Sequence, residues 1–128
     1  MAGEKARATG SCLCGGVRFA VHGEMRDVVY CHCVMCQRVL THFGAFTACA
    51  PQDLVVAPTR KLKWHRSSPQ ARCGFCKDCG SALFWEPGHL RHISISAGSL
   101  DQPTGLRAGS HQYREQDPDY DRPVCSES

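Results

Sequence analysis

The chain has 128 residues, ten of them cysteine, and a formal charge of +3. That length fits one domain, which buries roughly two-thirds of the surface its unfolded form exposes, so a hydrophobic core needs no disulfide staples. No window approaches the roughly 18 apolar residues of a membrane span, and MAGEKARATG lacks the apolar run of a secretory signal.

The expectation is a soluble, cytoplasmic protein, in which closely spaced cysteines bind metal or do chemistry rather than form bridges. Residues 1–9 read as a flexible N-terminus, 10–122 as a single zinc-binding domain, and 123–128 as a loose C-terminal tail. In chain order, SCLCGG at 11–16 comes first, followed by VRFAV at 17–21, whose alternation puts Val17, Phe19 and Val21 on one strand face. YCHCVMCQ at 30–37 then leads into the one short helical turn expected, Val34 to Leu40. FGAFTACA at 43–50, DLVV at 53–56, KLKWH at 61–65, ALFW at 82–85 and HISIS at 92–96 have strand composition and are punctuated by Gly and Pro. CGFCKDCGS at 73–81 lies between KLKWH and ALFW. Beyond Gly109 the chain is polar and broken by proline, which predicts partial packing. The fold class expected is mainly β, with antiparallel sheets.

The cysteines fall into two sets. Cys76-Lys-Asp-Cys79-Gly80 has the form of a zinc knuckle: a two-residue spacer lets both thiolates face one ion, and the following glycine takes a positive φ that aims its N–H at sulfur. Cys12-Leu-Cys14-Gly15 offers the same glycine after a tighter spacer. Paired, Cys12, Cys14, Cys76 and Cys79 make a closed structural zinc site that offsets the closure entropy of a loop of more than sixty residues.

Cys31, Cys33 and Cys36 form a three-sulfur tripod, with His32 projecting away between the first two. Three ligands are one short of the structural tetrahedron, and an open position is what a catalytic zinc keeps for water or substrate. The alternative is closure by His32, Cys49, Cys73, His111 or Cys125. An open thiolate-ligated zinc suits a thiol as its last ligand, which implies thiol–aldehyde addition or its reverse, carbon–sulfur cleavage. No phosphate loop, GxSxG or HExxH motif competes.

Metal binding also changes the charge: seven thiolates and two zinc ions add −7 + 4 = −3 to the formal +3, leaving a net charge near zero. The basic balance is therefore no signal for nucleic acid, and Lys61, Lys63 and Arg66, the only local cluster, fit a solvated strand face. Arg38, Arg72 and Arg107 are candidate carboxylate clamps, Phe43 and Phe46 candidate cavity walls, His111 a candidate acid or base, and Asp101 a turn or cap residue. Trp64, Phe84 and Trp85 read as core or pocket wall.

GSCLCGGVRF at 10–19, CHCVMC at 31–36, GFCKDCGSALFW at 74–85, ISAGSLDQPTGL at 95–106 and a further segment from His111 to about Tyr120 resemble the glutathione-dependent formaldehyde-activating enzyme family, which also takes in centromere protein V. The resemblance implies a two-sheet, tent-like fold stapled by zinc. It implies two zinc ions per chain, a structural one on Cys12, Cys14, Cys76 and Cys79 and a catalytic one on Cys31, Cys33 and Cys36. It implies a carbon–sulfur lyase like S-(hydroxymethyl)glutathione synthase, whose partners are a small thiol such as glutathione and an aldehyde such as formaldehyde. No nucleic-acid or membrane partner is expected, and the chain would be a monomer or homodimer. The alternative is a non-enzymatic zinc-binding interaction or scaffold domain of the same fold.

Overall fold

The computed structural model describes residues 6–88 and 91–121, and the expected tail at 123–128 lies outside them. Two sheets dominate. The smaller is antiparallel, in the order β1 (Ala8–Ser11), β2 (Arg18–Val21), β5 (Leu54–Val56). The larger contains β3 (Val28–Cys31), β4 (Gly44–Cys49), β6 (Leu62–Ser68), β7 (Ala71–Cys76), β8 (Ala82–Pro87), β9 (Ile93–Ser96) and β10 (Ala108–Gln112). Its order is β10-β3-β4-β9-β8-β7-β6. The one α-helix among the described residues, α1 (Val34–Leu40), follows β3, where the sequence predicts it.

Alternation explains the packing. Val17, Phe19 and Val21 of the first hairpin share one buried cluster with Phe84, Ile93 and Ile95 of the larger sheet, and Leu83 joins it at a register shift between β7 and β8. The Phe19 and Phe84 rings meet edge to face with centroids 5.1 Å apart, joining the layers. Val17, Val21, Leu83 and Ile95 are fully buried, each contributing about 1.5–3 kcal/mol relative to exposure. Cys12 and Cys76 belong to the same buried cluster, so the four-cysteine set sits at the edge of this core.

Two details refine the expected architecture. The first sheet begins at Ala8, and the Arg7 N–H donates to the Val21 carbonyl, so β structure starts within the 1–9 segment. The larger sheet is not antiparallel throughout, because β10 runs parallel to β3, pairing His111 with Tyr30 and Gln112 with Cys31. That arrangement lays the polar C-terminal segment beside the Cys31 loop.

Candidate metal centres

The first cluster is built from two turns. Cys12 and Cys14 lie between β1 and β2, Cys76 ends β7, and Cys79 sits in the turn to β8. In each turn a backbone N–H reaches back to the carbonyl of the first cysteine, Gly15 to Cys12 at 3.1 Å and Gly80 to Cys76 at 2.8 Å. Gly15 (φ 78°) and Gly80 (φ 81°) both occupy the left-handed region, where a Cβ is strained. Further N–H groups point at sulfur, Val17 to Cys12 Sγ at 3.3 Å and Cys79 to Cys76 Sγ at 3.5 Å. The Ser81 hydroxyl joins the two turns, accepting from the Leu13 N–H at 3.1 Å and lying 3.2 Å from Cys79 Sγ.

The four sulfurs lie within 4.8 Å of one another, with Cys12 to Cys14 at 3.6 Å and Cys14 to Cys76 at 3.7 Å. A tetrahedron with zinc–sulfur bonds of about 2.3 Å has edges of about 3.8 Å, so the set fits zinc. The electrostatics of the bare thiols are uneven. Hydrogen bonds from the Ser81 hydroxyl and N–H pull Cys79 down to about 5. For Cys14 the Gly16 N–H is the largest influence and a lowering one, yet the surrounding thiols and burial together push it up to about 11. A divalent cation resolves this competition by letting all four ionise. Lys61, paired with Asp78 at 3.0 Å, is the cation next to the cluster.

The second cluster is assembled locally. Cys31 is the last residue of β3, Cys33 is the N-cap of α1, and Cys36 lies in its first turn. The cap is made by sulfur, since the Cys36 N–H donates to Cys33 Sγ at 3.4 Å while the Cys33 carbonyl accepts from Gln37 N–H at 3.0 Å. The three sulfurs lie within 4.8 Å of one another, with Cys31 to Cys33 at 3.5 Å. Burial raises Cys31 and Cys36, and in Cys36 the adjacent sulfurs add to the rise. Burial also opposes ionisation of Cys33, but the Cys36 N–H and Cys31 outweigh it and lower the thiol. Crowded sulfurs that resist ionisation together are a donor set for a cation.

None of the candidate fourth ligands joins the tripod among the described residues. His32 turns away from it, as expected, but into a buried position where Nε2 lies 2.8 Å from His111 Nδ1. His111 is therefore engaged with His32 and not with sulfur. Cys49 is buried in the core, its thiol pushed up to about 11 by burial and by Asp53. Cys73 pairs across strands with His65 and Trp85, and Cys125 lies outside the described residues. The even spacing of Cys73, Cys76 and Cys79 misleads because alternation along β7 sends Cys73 away from Cys76's partners.

Arg72, Asp101 and Phe43 have structural partners. Arg72 stacks on Trp64, 4.0 Å from the ring centroid, and pairs with Glu86 at 2.6 Å, so it is no free carboxylate clamp. Asp101 ties the sheet edge, accepting from the Thr9 hydroxyl at 2.7 Å. Phe43 stacks on His32 with centroids 4.7 Å apart. Sequence reasoning missed the C-terminal clamp: Gln116 Oε1 accepts from Val34 N–H at 2.8 Å, and the Gln37 side chain donates to the His32 carbonyl at 3.0 Å and the Gln116 carbonyl at 2.7 Å. These bonds fix both ends of the tripod loop to residues about eighty positions later. No local spacing signals them.

Two packed β sheets with a four-thiol and a three-thiol cluster define a β-fold protein whose cysteines are arranged to hold zinc. Residues 7–116 match the model of the glutathione-dependent formaldehyde-activating enzyme family, and the chain belongs to that family. A crystal structure titled as a Rhodobacter sphaeroides protein shares the fold, with a TM-score of 0.66 at 21% identity over 80% of this chain and 98% of that one. No curated protein sequence matches the chain. No helix among the described residues is long and apolar enough to cross a membrane.

Proposed function

We propose that the chain is a cytoplasmic carbon–sulfur lyase of the formaldehyde-activating type, joining a small thiol such as glutathione to formaldehyde or releasing it. In this reading Cys12, Cys14, Cys76 and Cys79 hold a structural zinc, and Cys31, Cys33 and Cys36 hold a catalytic one. Zinc bound by three thiolates supplies a Lewis-acidic position that favours an ionised thiol sulfur near neutral pH. The reaction needs no external oxidant or reductant: the sulfur–carbon bond forms as the carbonyl π bond opens, and the thiol proton ends on the carbinol oxygen. In reverse, the carbinol proton leaves and the carbon–sulfur bond breaks.

The chain's own residues position the donors. The end of β3 and the first turn of α1 gather the three sulfurs, the N–H of Cys36 orients Cys33, and Gln37 and Gln116 hold the loop. The observation that carries the proposal is the three-to-four asymmetry: the second set of sulfurs has no further Cys, His, Asp or Glu within its radius among the described residues.

Cobalt substitution tests this reading. Two ions per chain are expected, with the sulfur-to-cobalt bands of one shifting on titration with glutathione and not with its oxidised dimer. The same preparation accelerates S-hydroxymethylglutathione formation above the spontaneous rate. A single ion per chain, or bands indifferent to thiol, removes it. The second reading, a non-enzymatic interaction domain, is favoured by the exposed apolar face of α1, where Val34, Met35 and Val39 face solvent. Thiol-indifferent bands with two bound ions are its signature.

A further inference from the structure

Behind the tripod loop lies a buried polar group that the proposed chemistry does not use. His32 is 2% exposed, and its two ring nitrogens face different partners. Nε2 lies 2.8 Å from His111 Nδ1, and that same Nδ1 is 3.0 Å from Arg114 Nη1. A guanidinium only donates, so His111 Nδ1 is the acceptor, and His32 must present Nε2–H to it. In neutral His32 the lone pair is then on Nδ1. That lone pair faces two carboxylates: Asp117 Oδ1 at 2.8 Å and Asp121 Oδ2 at 3.9 Å.

The Nδ1 to Oδ1 distance is that of a hydrogen bond, but the alignment is not. A proton on Nδ1 would not point at Oδ1, and both buried atoms are left without a hydrogen-bond partner. Such offset suits chelation. Two ligand atoms about 2.1 Å from one ion stand roughly 2.8–3.4 Å apart, each lone pair aimed at the ion rather than at the other atom. The surroundings resemble the outer shell of a metal-bound histidine: the far nitrogen donates to a fixed acceptor, and Asp117 Oδ2 is held by Arg114 Nε at 3.3 Å.

We infer that His32 Nδ1, Asp117 Oδ1 and Asp121 Oδ2 form a third, previously unassigned site for a divalent cation, which pins residues 117–121 to the back of the tripod loop. The three atoms lie within 4.8 Å of one another. One imidazole and two carboxylates favour borderline to hard ions such as Mn2+, Fe2+ or Zn2+, unlike the all-thiolate sets. Asp121 is partly exposed and gives the ion its entry path.

Mn2+ is the discriminating probe because it avoids thiolates. Protein loaded with two equivalents of zinc per chain, which the thiolate sets take first, is then titrated with Mn2+ and read by electron paramagnetic resonance, and it should remove one equivalent per chain from the free-ion signal. Asp121→Asn should weaken that binding at least tenfold, and His111→Phe, which releases the outer-shell hydrogen bond, about tenfold. Circular dichroism of Asp121→Asn, a substitution at a partly exposed side chain, checks that the fold persists. Undiminished free Mn2+ with wild-type protein overturns the inference, as does equal binding by Asp121→Asn or a nitrogen NMR signal showing His32 Nδ1 to carry a proton in the presence of Mn2+. The cobalt–glutathione titration can succeed while this experiment fails, so the two are separable.

Discussion

The two cysteine clusters use the same donor atom and are built in opposite ways. The four-sulfur set joins turns 62 residues apart and shares Cys12 and Cys76 with the hydrophobic core. The tripod comes from six consecutive residues, and α1, which carries Cys36 and is capped by Cys33, has no buried residue. A long-range set embedded in the core would make the fold depend on metal if it holds the proposed zinc. A local set on an exposed helix can change its ligands without disturbing the core. The comparison teaches that a cluster's chemical freedom is fixed by what else its backbone must hold.

The sharpest way to break this contrast is Cys76→Ser. Structural zinc contributes on the order of 10 kcal/mol in small metal-dependent folds, more than a domain's usual net stability. Loss of the cooperative thermal transition is expected, and a wild-type melt would show that the core stands without the clasp. Cys36→Ser should do the reverse. The circular dichroism spectrum and melting temperature should stay near wild type, while the catalysed rate of S-hydroxymethylglutathione formation falls about 100-fold or more, at or beyond the range of outer-shell changes.

Smaller effects sharpen the comparison. Gly80→Ala places a Cβ at φ 81° in open space, so only backbone strain acts, and about 1–2 kcal/mol should be lost from the chemical denaturation midpoint. The converse position is Thr41, which caps α1 at φ 68°. Thr41→Gly relieves strain at the cost of chain entropy, and a gain of about 0.5 kcal/mol is expected by the same measurement. Opposite signs at these two left-handed residues would show that the knuckle is already optimised and the tripod helix is not.

Much of this was legible in the sequence because the signals are local. The CxC, CxxC and CxCxxC spacings grouped seven cysteines as the structure groups them, and α1 appeared at its predicted residues. Alternation revealed β2, β4, β5, β6, β8 and β9. It missed β1 and β3, four residues each, β7, where Arg72, Cys73 and Gly74 interrupt the pattern, and β10, whose five residues are all exposed and which is held through its backbone. The Asp117–His32 contact was invisible for another reason: it joins residues 85 positions apart through a parallel pairing that no hairpin rule predicts.

That parallel pairing has a consequence for biogenesis. Because β10 and the segment after it are among the last parts of the described chain to leave the ribosome, the core and its sulfur clasp can assemble while the tripod loop still lacks its backing. A chain lacking residues from Ala108 onward would therefore keep the strands of both cysteine turns but lose the parallel partner of β3 behind the tripod loop.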